Sequence, residues 1–192
     1  MRIWRICRKP FSRSPLDGRG GLIVAGRWHT PRRLVAYASE SLALASLEVL
    51  VHCDVDLLPS DLVAVEVDVP AKLKIGEIKL KDLPRNWRKH PAPRRLQELG
   101  NEWLDAGRTA IVRVPSALVP TEHNYLVNSM HPAFSELRVV RRIKFSFDER
   151  SAQRQNQLTG HCYMTAGVKA VVSLKLGSSA ATRLSPFCGG GR

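Results

Sequence analysis

The residue of this sequence best suited to chemistry is a carboxylate in an apolar setting. Glu48 lies within Leu42 to Val51, where Leu, Ala and Val surround it and Ser46 is the only other polar residue. Helical spacing there predicts a helix buried nearly all round. A carboxylate in such a place costs several kcal/mol unless it is paired. Two readings follow: an ion pair with one of the Lys or Arg residues, or a catalytic acid or electrostatic stabiliser lining a cleft.

Gly26-Arg27-Trp28 is the second feature, preceded by the Gly-rich stretch Asp17-Gly18-Arg19-Gly20-Gly21. Backbone amides in such a loop approach phosphate oxygens closely, and Arg27 can clamp a phosphate through two donors. The alternative is a solvated charge on a surface turn, because no complete Gly-rich nucleotide motif is present. Tyr37 ends a strand just before the helix that carries Glu48, which places it either in the same cleft or in the core and rim. Ser116 follows Val114-Pro115, where the proline fixes a turn that presents the hydroxyl. Without a G-x-S-x-G elbow, a hydrogen-bonding role fits it better than nucleophilic attack.

Metal and redox chemistry find little support. The six histidines are scattered, His123 and His131 stand eight apart in a stretch read as loop, and none has ligand spacing. Cys7, Cys53, Cys162 and Cys188 form no C-x-x-C pair, so neither a structural zinc nor a disulfide framework is expected.

The elements that would position these residues are short and mixed. Strands are expected at Arg2 to Cys7, Leu34 to Ala38, Leu62 to Val69, Leu73 to Ile78, Ile111 to Val114 and Val139 to Phe147. Helices are expected from an N-cap at Ser39 through Glu40 to His52, and from Arg94 to Ala106, ended by Gly107. In Leu62 to Val69 the valines at 63, 65, 67 and 69 share one face, the pattern of a half-buried strand. The fold class is α+β, a single compact domain over residues 1–150. Beyond Asp148 the composition turns polar and then Gly/Ser-containing, so residues 151–192 read as a basic, disordered tail.

Length and composition agree with one folded domain. The chain has 192 residues, 44% hydrophobic and 24% charged, enough to build a core. No apolar run reaches the roughly 20 residues of a membrane span, and the N-terminus lacks a secretory h-region, so the expected setting is cytoplasmic. Thirty Lys and Arg against 17 Asp and Glu give a net charge of +13, which favours polyanionic partners without choosing among them.

Taken in order, these pieces resemble the RES domain, the toxin half of bacterial RES-Xre toxin-antitoxin pairs. The resemblance runs through Arg2-Ile3-Trp4-Arg5-Ile6, Gly26-Arg27-Trp28, Val35 to Ser41, Leu44 to His52, Gly100-Asn101-Glu102-Trp103-Leu104, Val114 to Pro120, Glu122 to Asn128 and Phe145 to Asp148. The family is named for an Arg, a Glu and a Ser, which fall at Arg27, Glu48 and Ser116, with Tyr37 added from the preceding strand. The chain departs from the family's pattern at His29, where Asn is usual. It departs again at Pro31-Arg32-Arg33, which replaces a Gly-containing turn, and at Asn128-Ser129-Met130, which lacks a Pro.

The resemblance implies an ADP-ribosyltransferase-like fold and an enzyme that cleaves NAD at the nicotinamide-ribose bond, with water or phosphate as acceptor. NAD is then substrate, and no cofactor or metal is implied. Glu48 would stabilise the developing oxocarbenium ion, Arg27 would hold the pyrophosphate, Tyr37 would pack on nicotinamide or ribose, and Ser116 with Asn124 would supply hydrogen bonds. An Xre-type antitoxin would cover the cleft, with nucleic acid met only through it. Two other readings remain: transfer of ADP-ribose to a protein, and a non-catalytic nucleic-acid binder using the positive charge, which no helix-turn-helix, zinc-finger or RNP pattern accompanies.

Removal of residues 151–192 should leave fold and activity intact, since the resemblance ends at Asp148. Circular dichroism and turnover of the shortened protein check this; loss of either would place the domain boundary further downstream.

Overall fold

A computed structural model of the chain describes residues 1–53 and 58–148. The expectation for residues 151–192 lies outside the described residues. Seven strands form one sheet: β1 (Arg2–Arg8), β2 (Val35–Ser39), β3 (Leu62–Asp68), β4 (Ile75–Glu77), β5 (Ile111–Pro115), β6 (His123–Asn128) and β7 (Arg138–Lys144), in the order β4-β5-β6-β2-β1-β3-β7. Every neighbouring pair is antiparallel except β4 with β5. Among the described residues three α-helices accompany it: a single turn α1 (Gly20–Ile23), α2 (Leu42–Leu50) and α3 (Arg94–Ala106). The α+β class stands.

Alternation along the strands builds two cores. Ile3, Cys7, Ala36, Ala38, Val65, Val67, Ile111, Tyr125 and Val127 pack together, with Phe134 and Leu137 lying against them. Trp28, Val35, Val112, Val114 and Leu126 join Leu96 of α3 in the second, with Trp103 and Leu104 packed alongside. Because consecutive strand residues point to opposite faces, the two sets fall on the two sides of the sheet.

The two halves of the sheet meet weakly. β1 runs alongside β3 over seven paired positions, from Arg2↔Asp68 to Arg8↔Leu62, and β2 alongside β6 over five, but β1 meets β2 only at Trp4↔Ser39. Past that point the two strands part. Arg5 reaches across the opening, its Nη1 donating to the Tyr37 carbonyl at 2.6 Å.

Several expectations are corrected. The α2 N-cap is Ser41, whose Oγ accepts from the Leu44 amide at 3.0 Å, whereas Ser39 ends β2. The helix is also not buried all round. Leu44, Ala45 and Val49 face inward, while Ala43 and Leu47 are exposed, as is Val51 just beyond the helix. Apolar composition had no periodicity that distinguished these faces; contact with β1 and β2 on one side decided it. His123 begins β6 and is not in a loop, because Tyr125-Leu126-Val127 occupies a central position between β2 and β5 where all three side chains are buried. The Gly-rich stretch runs into α1, which begins at Gly20.

α3 is held against the Gly26–His29 turn by close approach. A Cβ on Gly100 would lie 1.8 Å from the Trp28 carbonyl oxygen, so only glycine allows this contact. On the same face Gln97 Nε2 donates to the Gly26 carbonyl at 3.1 Å, and the Asn101 side chain pairs with both the amide and the hydroxyl of Thr30. Gly100→Ala should therefore cost about 3 kcal/mol, at the upper end of the usual overpacking penalty. Denaturant unfolding of the variant measures it, and an unchanged midpoint would show that the helix can retreat freely.

Candidate active site

A cavity of about 390 Å³ opens where β1 and β2 part. Its size lies within the range of small-molecule sites. Arg27, Tyr37, Glu48 and Asn124 all line it, which brings together four of the five residues singled out in the sequence.

Glu48 is fixed through one oxygen. Its Oε1 accepts from Asn124 Nδ2 at 2.6 Å and, at a longer 3.4 Å, from Ser116 Oγ. Asn124 is oriented in turn by Ser39, whose hydroxyl donates to Asn124 Oδ1 at 2.7 Å; the two residues are register partners on β2 and β6. The helix that carries Glu48 is tied to the same region, since Ser41 Oγ donates to Glu122 Oε2 at 2.9 Å. Among the described residues no Lys or Arg lies within ion-pairing distance of Glu48, and the basic group that comes within that range is His52, with Nε2 3.8 Å from Oε2. The Lys or Arg ion pair weighed for this carboxylate is therefore not what holds it.

Ser116 has a different place from the other four. It is 0% exposed, its Oγ accepts from the amides of Leu118 and Val119 at 3.2 Å each, and it lies behind Glu48 without lining the cavity. A serine there stiffens the turn after β5 and offers Glu48 a hydroxyl, which is a positioning role.

Arg27 sits at the tip of a tight turn closed by the Gly26 amide donating to the His29 carbonyl at 3.1 Å. Gly26 leaves no room for a side chain, because a Cβ would meet the Tyr37 hydroxyl at 2.5 Å and the His29 ring at 2.6 Å. One terminal nitrogen of Arg27 donates to the carbonyls of Trp87 and Lys89, at 2.8 and 3.3 Å, so the proline-rich connection is tethered over this side of the cavity. Burial lowers the Arg27 pKa, opposed by the charge of Glu48 and by Tyr37. A guanidinium nonetheless remains charged at physiological pH.

Tyr37 is locked through its hydroxyl, which accepts from the Trp28 amide at 3.2 Å and meets His29 Nδ1 at 2.7 Å. Burial raises the phenol pKa well above its ordinary value, so the hydroxyl stays protonated. His29 is itself buried, bonded on its other nitrogen to the Val24 carbonyl at 3.1 Å, and burial lowers its pKa. The position at which the chain departs from the family's Asn thus still holds the tyrosine. At a second departure, Arg32 adopts φ +70, the left-handed conformation that a glycine would take without strain.

Sequence reasoning passed over Arg5 and His52. Arg5 lies between Ile3 and Cys7 on the core face of β1 yet lines the cavity, and its Nε meets no acceptor among the described residues. Desolvation lowers its pKa, with Cys7 and Asp17 acting in the opposite direction. A charged residue at a core position of an alternating strand was the available signal. His52, one helical turn beyond Glu48, was legible from that spacing alone. Among the described residues no group of three or more His, Cys, Asp or Glu could hold a metal ion, and no helix is long and apolar enough to cross a membrane.

Comparison with known proteins agrees with this architecture. The RES domain family model matches residues 2–148. Toxin Res of Photorhabdus laumondii is 33% identical over 151 residues, spanning 78% of this chain and 96% of that protein. The Prs ADP-ribosylating toxin of Sphingobium sp. is 34% identical over 156 residues, 79% of this chain and 97% of that one. In fold, the chain is similar to the M. tuberculosis MbcT-MbcA toxin-antitoxin complex, with a TM-score of 0.63 at 14% identity over 76% of this chain and 84% of that one. A family match along nearly the whole described chain, with full-length relatives at a third identity, establishes that the chain belongs to the RES domain family.

Proposed function

We propose that the protein is a toxin enzyme that cleaves NAD at the nicotinamide-ribose bond, with water or phosphate accepting the ADP-ribosyl group. The observation that carries this reading is the carboxylate of Glu48, fixed by Asn124 and Ser116 at a cavity whose wall also includes Arg5 and Arg27. Nicotinamide leaves as a neutral molecule from a cationic precursor, so departure requires no general acid. Positive charge then builds on the ribose, and a preorganised carboxylate stabilises it without reorganising. The arginines supply fixed positive charge for the pyrophosphate, and Tyr37 offers a rigid aromatic wall.

Transfer of the group to a protein is the second reading, favoured by the name of the Sphingobium relative, an ADP-ribosylating toxin. The donor site would be the same. An antitoxin of the Xre type is proposed as partner in the cytoplasm, supported by the toxin-antitoxin complex among the similar structures. The exposed stripe of Ala43, Leu47 (42%) and Val51 (49%) gives such a partner apolar surface at the rim, where Val51 lines the cavity.

Purified protein should release nicotinamide from NAD, and chromatography with and without phosphate separates hydrolysis from phosphorolysis, while label carried onto protein would identify transfer. Nicotinamide release no faster than a blank under all conditions would overturn the proposal.

Glu48→Gln preserves shape and removes the charge. Turnover should fall at least ~100-fold, the scale of losing one preorganised electrostatic partner. The melting temperature should stay near wild type or rise, because no Lys or Arg partner is left stranded. A buried structural pair would instead cost ~3–5 kcal/mol on losing one member.

A further inference from the structure

The two oxygens of Glu48 have different surroundings. Oε1 is taken by Asn124 and Ser116. Oε2 faces His52 Nε2 at 3.8 Å, with both residues lining the cavity and each side chain about a third exposed or less, at 27% and 33%. That separation exceeds a hydrogen bond, yet one oxygen atom placed between the two reaches both at about 2.8 Å.

The proposed reaction needs a proton acceptor that Glu48 is poorly placed to be. When water attacks the ribose it must lose a proton, and a carboxylate that took this proton would lose its charge while still facing the oxocarbenium ion. A second group spares it. His52 has the right state: burial lowers its pKa first of all, His90 and Arg27 push the same way, and only Glu48 opposes them. Those three groups come from three elements, with Glu48 on α2, Arg27 on the turn before β2 and His90 in the proline-rich connection. An imidazole held neutral near pH 7 is suited to general-base work.

We propose that His52 is the general base of the acceptor step, binding the attacking water jointly with Glu48 Oε2; this rests on the reading that the site cleaves NAD. The ribose-nicotinamide C–N bond breaks with its electron pair going to the pyridine nitrogen, which becomes neutral. The water oxygen forms the new bond to the same ribose carbon, its proton passes to His52 Nε2, and the imidazolium later releases that proton to solvent.

The test compares a nucleophile that must lose a proton with one that carries none. Nicotinamide release is measured for wild type, His52→Gln and His52→Asn in phosphate-free buffer, with water alone and with sodium azide, alongside melting temperatures. The expected result is a fall of at least ~100-fold in the water reaction of both variants, the scale of general-base catalysis, with azide-supported release within about threefold of wild type. The acid limb of the wild-type pH profile, lost as pH falls through the depressed pKa of His52, should be absent from the residual activity of His52→Gln. Water turnover within tenfold of wild type in a folded variant would overturn the proposal. So would azide release falling as far as water release, since that pattern means His52 only supports Glu48. A wild-type protein that releases no nicotinamide would remove the NAD reading itself, and this step with it.

Discussion

The architecture depends on where the sheet stops being a sheet. β1 and β2 are neighbours that pair at one position, Trp4↔Ser39, and then separate. Buried backbone groups must find partners, and the gap is closed on one side by a side chain, Arg5, donating to the Tyr37 carbonyl. This places a cationic side chain and the tyrosine on the two lips of one opening. α2, leaving β2 directly and packing on both β1 and β2, delivers Glu48 to the same place.

Around that opening, the polar groups form one chain of support. Ser39 orients Asn124, Asn124 holds Glu48, and Ser116 backs Glu48 while being fixed by two amides of its own turn. A carboxylate held by neutral donors keeps its charge available, whereas a directly paired Arg would neutralise it. The arginines act instead at other points of the wall. Arg27 is held apart from Glu48 by its bonds to the Trp87 and Lys89 carbonyls, and α3 braces the turn beneath it through Gln97, Gly100 and Asn101. The Gly100-Asn101 pair, far from Arg27 in sequence, is thus part of the same device.

Two of the three departures from the family's pattern, at His29 and at Arg32, are absorbed locally. His29 bonds both Tyr37 and the Val24 carbonyl, using both ring nitrogens. Arg32 takes up the left-handed backbone that its turn demands, while neighbouring Arg33 is anchored to Asp105 of α3. His29 closes the Arg27 turn and itself lines the opening, whereas Arg32 lies in the connection that leads on to β2.

The periodic elements and the chemical types at the site were written in the order of residues. The valines at 63, 65, 67 and 69 announced β3, α3 was legible from its helical spacing and its terminal Gly107, and Glu48 stood out because a charge in an apolar helix demands an explanation. Alternation and burial cost are local properties of a chain, so they can be read without the fold. The remainder was non-local and came from the assembled fold. β6 was missed because its apolar centre is just three residues long and owes its strand conformation to partners on both sides, β2 and β5. The exposed face of α2 could not be read from a segment with apolar residues on every side. Ser116 was expected among the ligand contacts and lies behind Glu48, while Arg5 joins the site because β1 and β2 part beside it. Hydrogen-bond partners and cavities are made by elements distant in sequence, and their geometry exists only once the sheet is assembled.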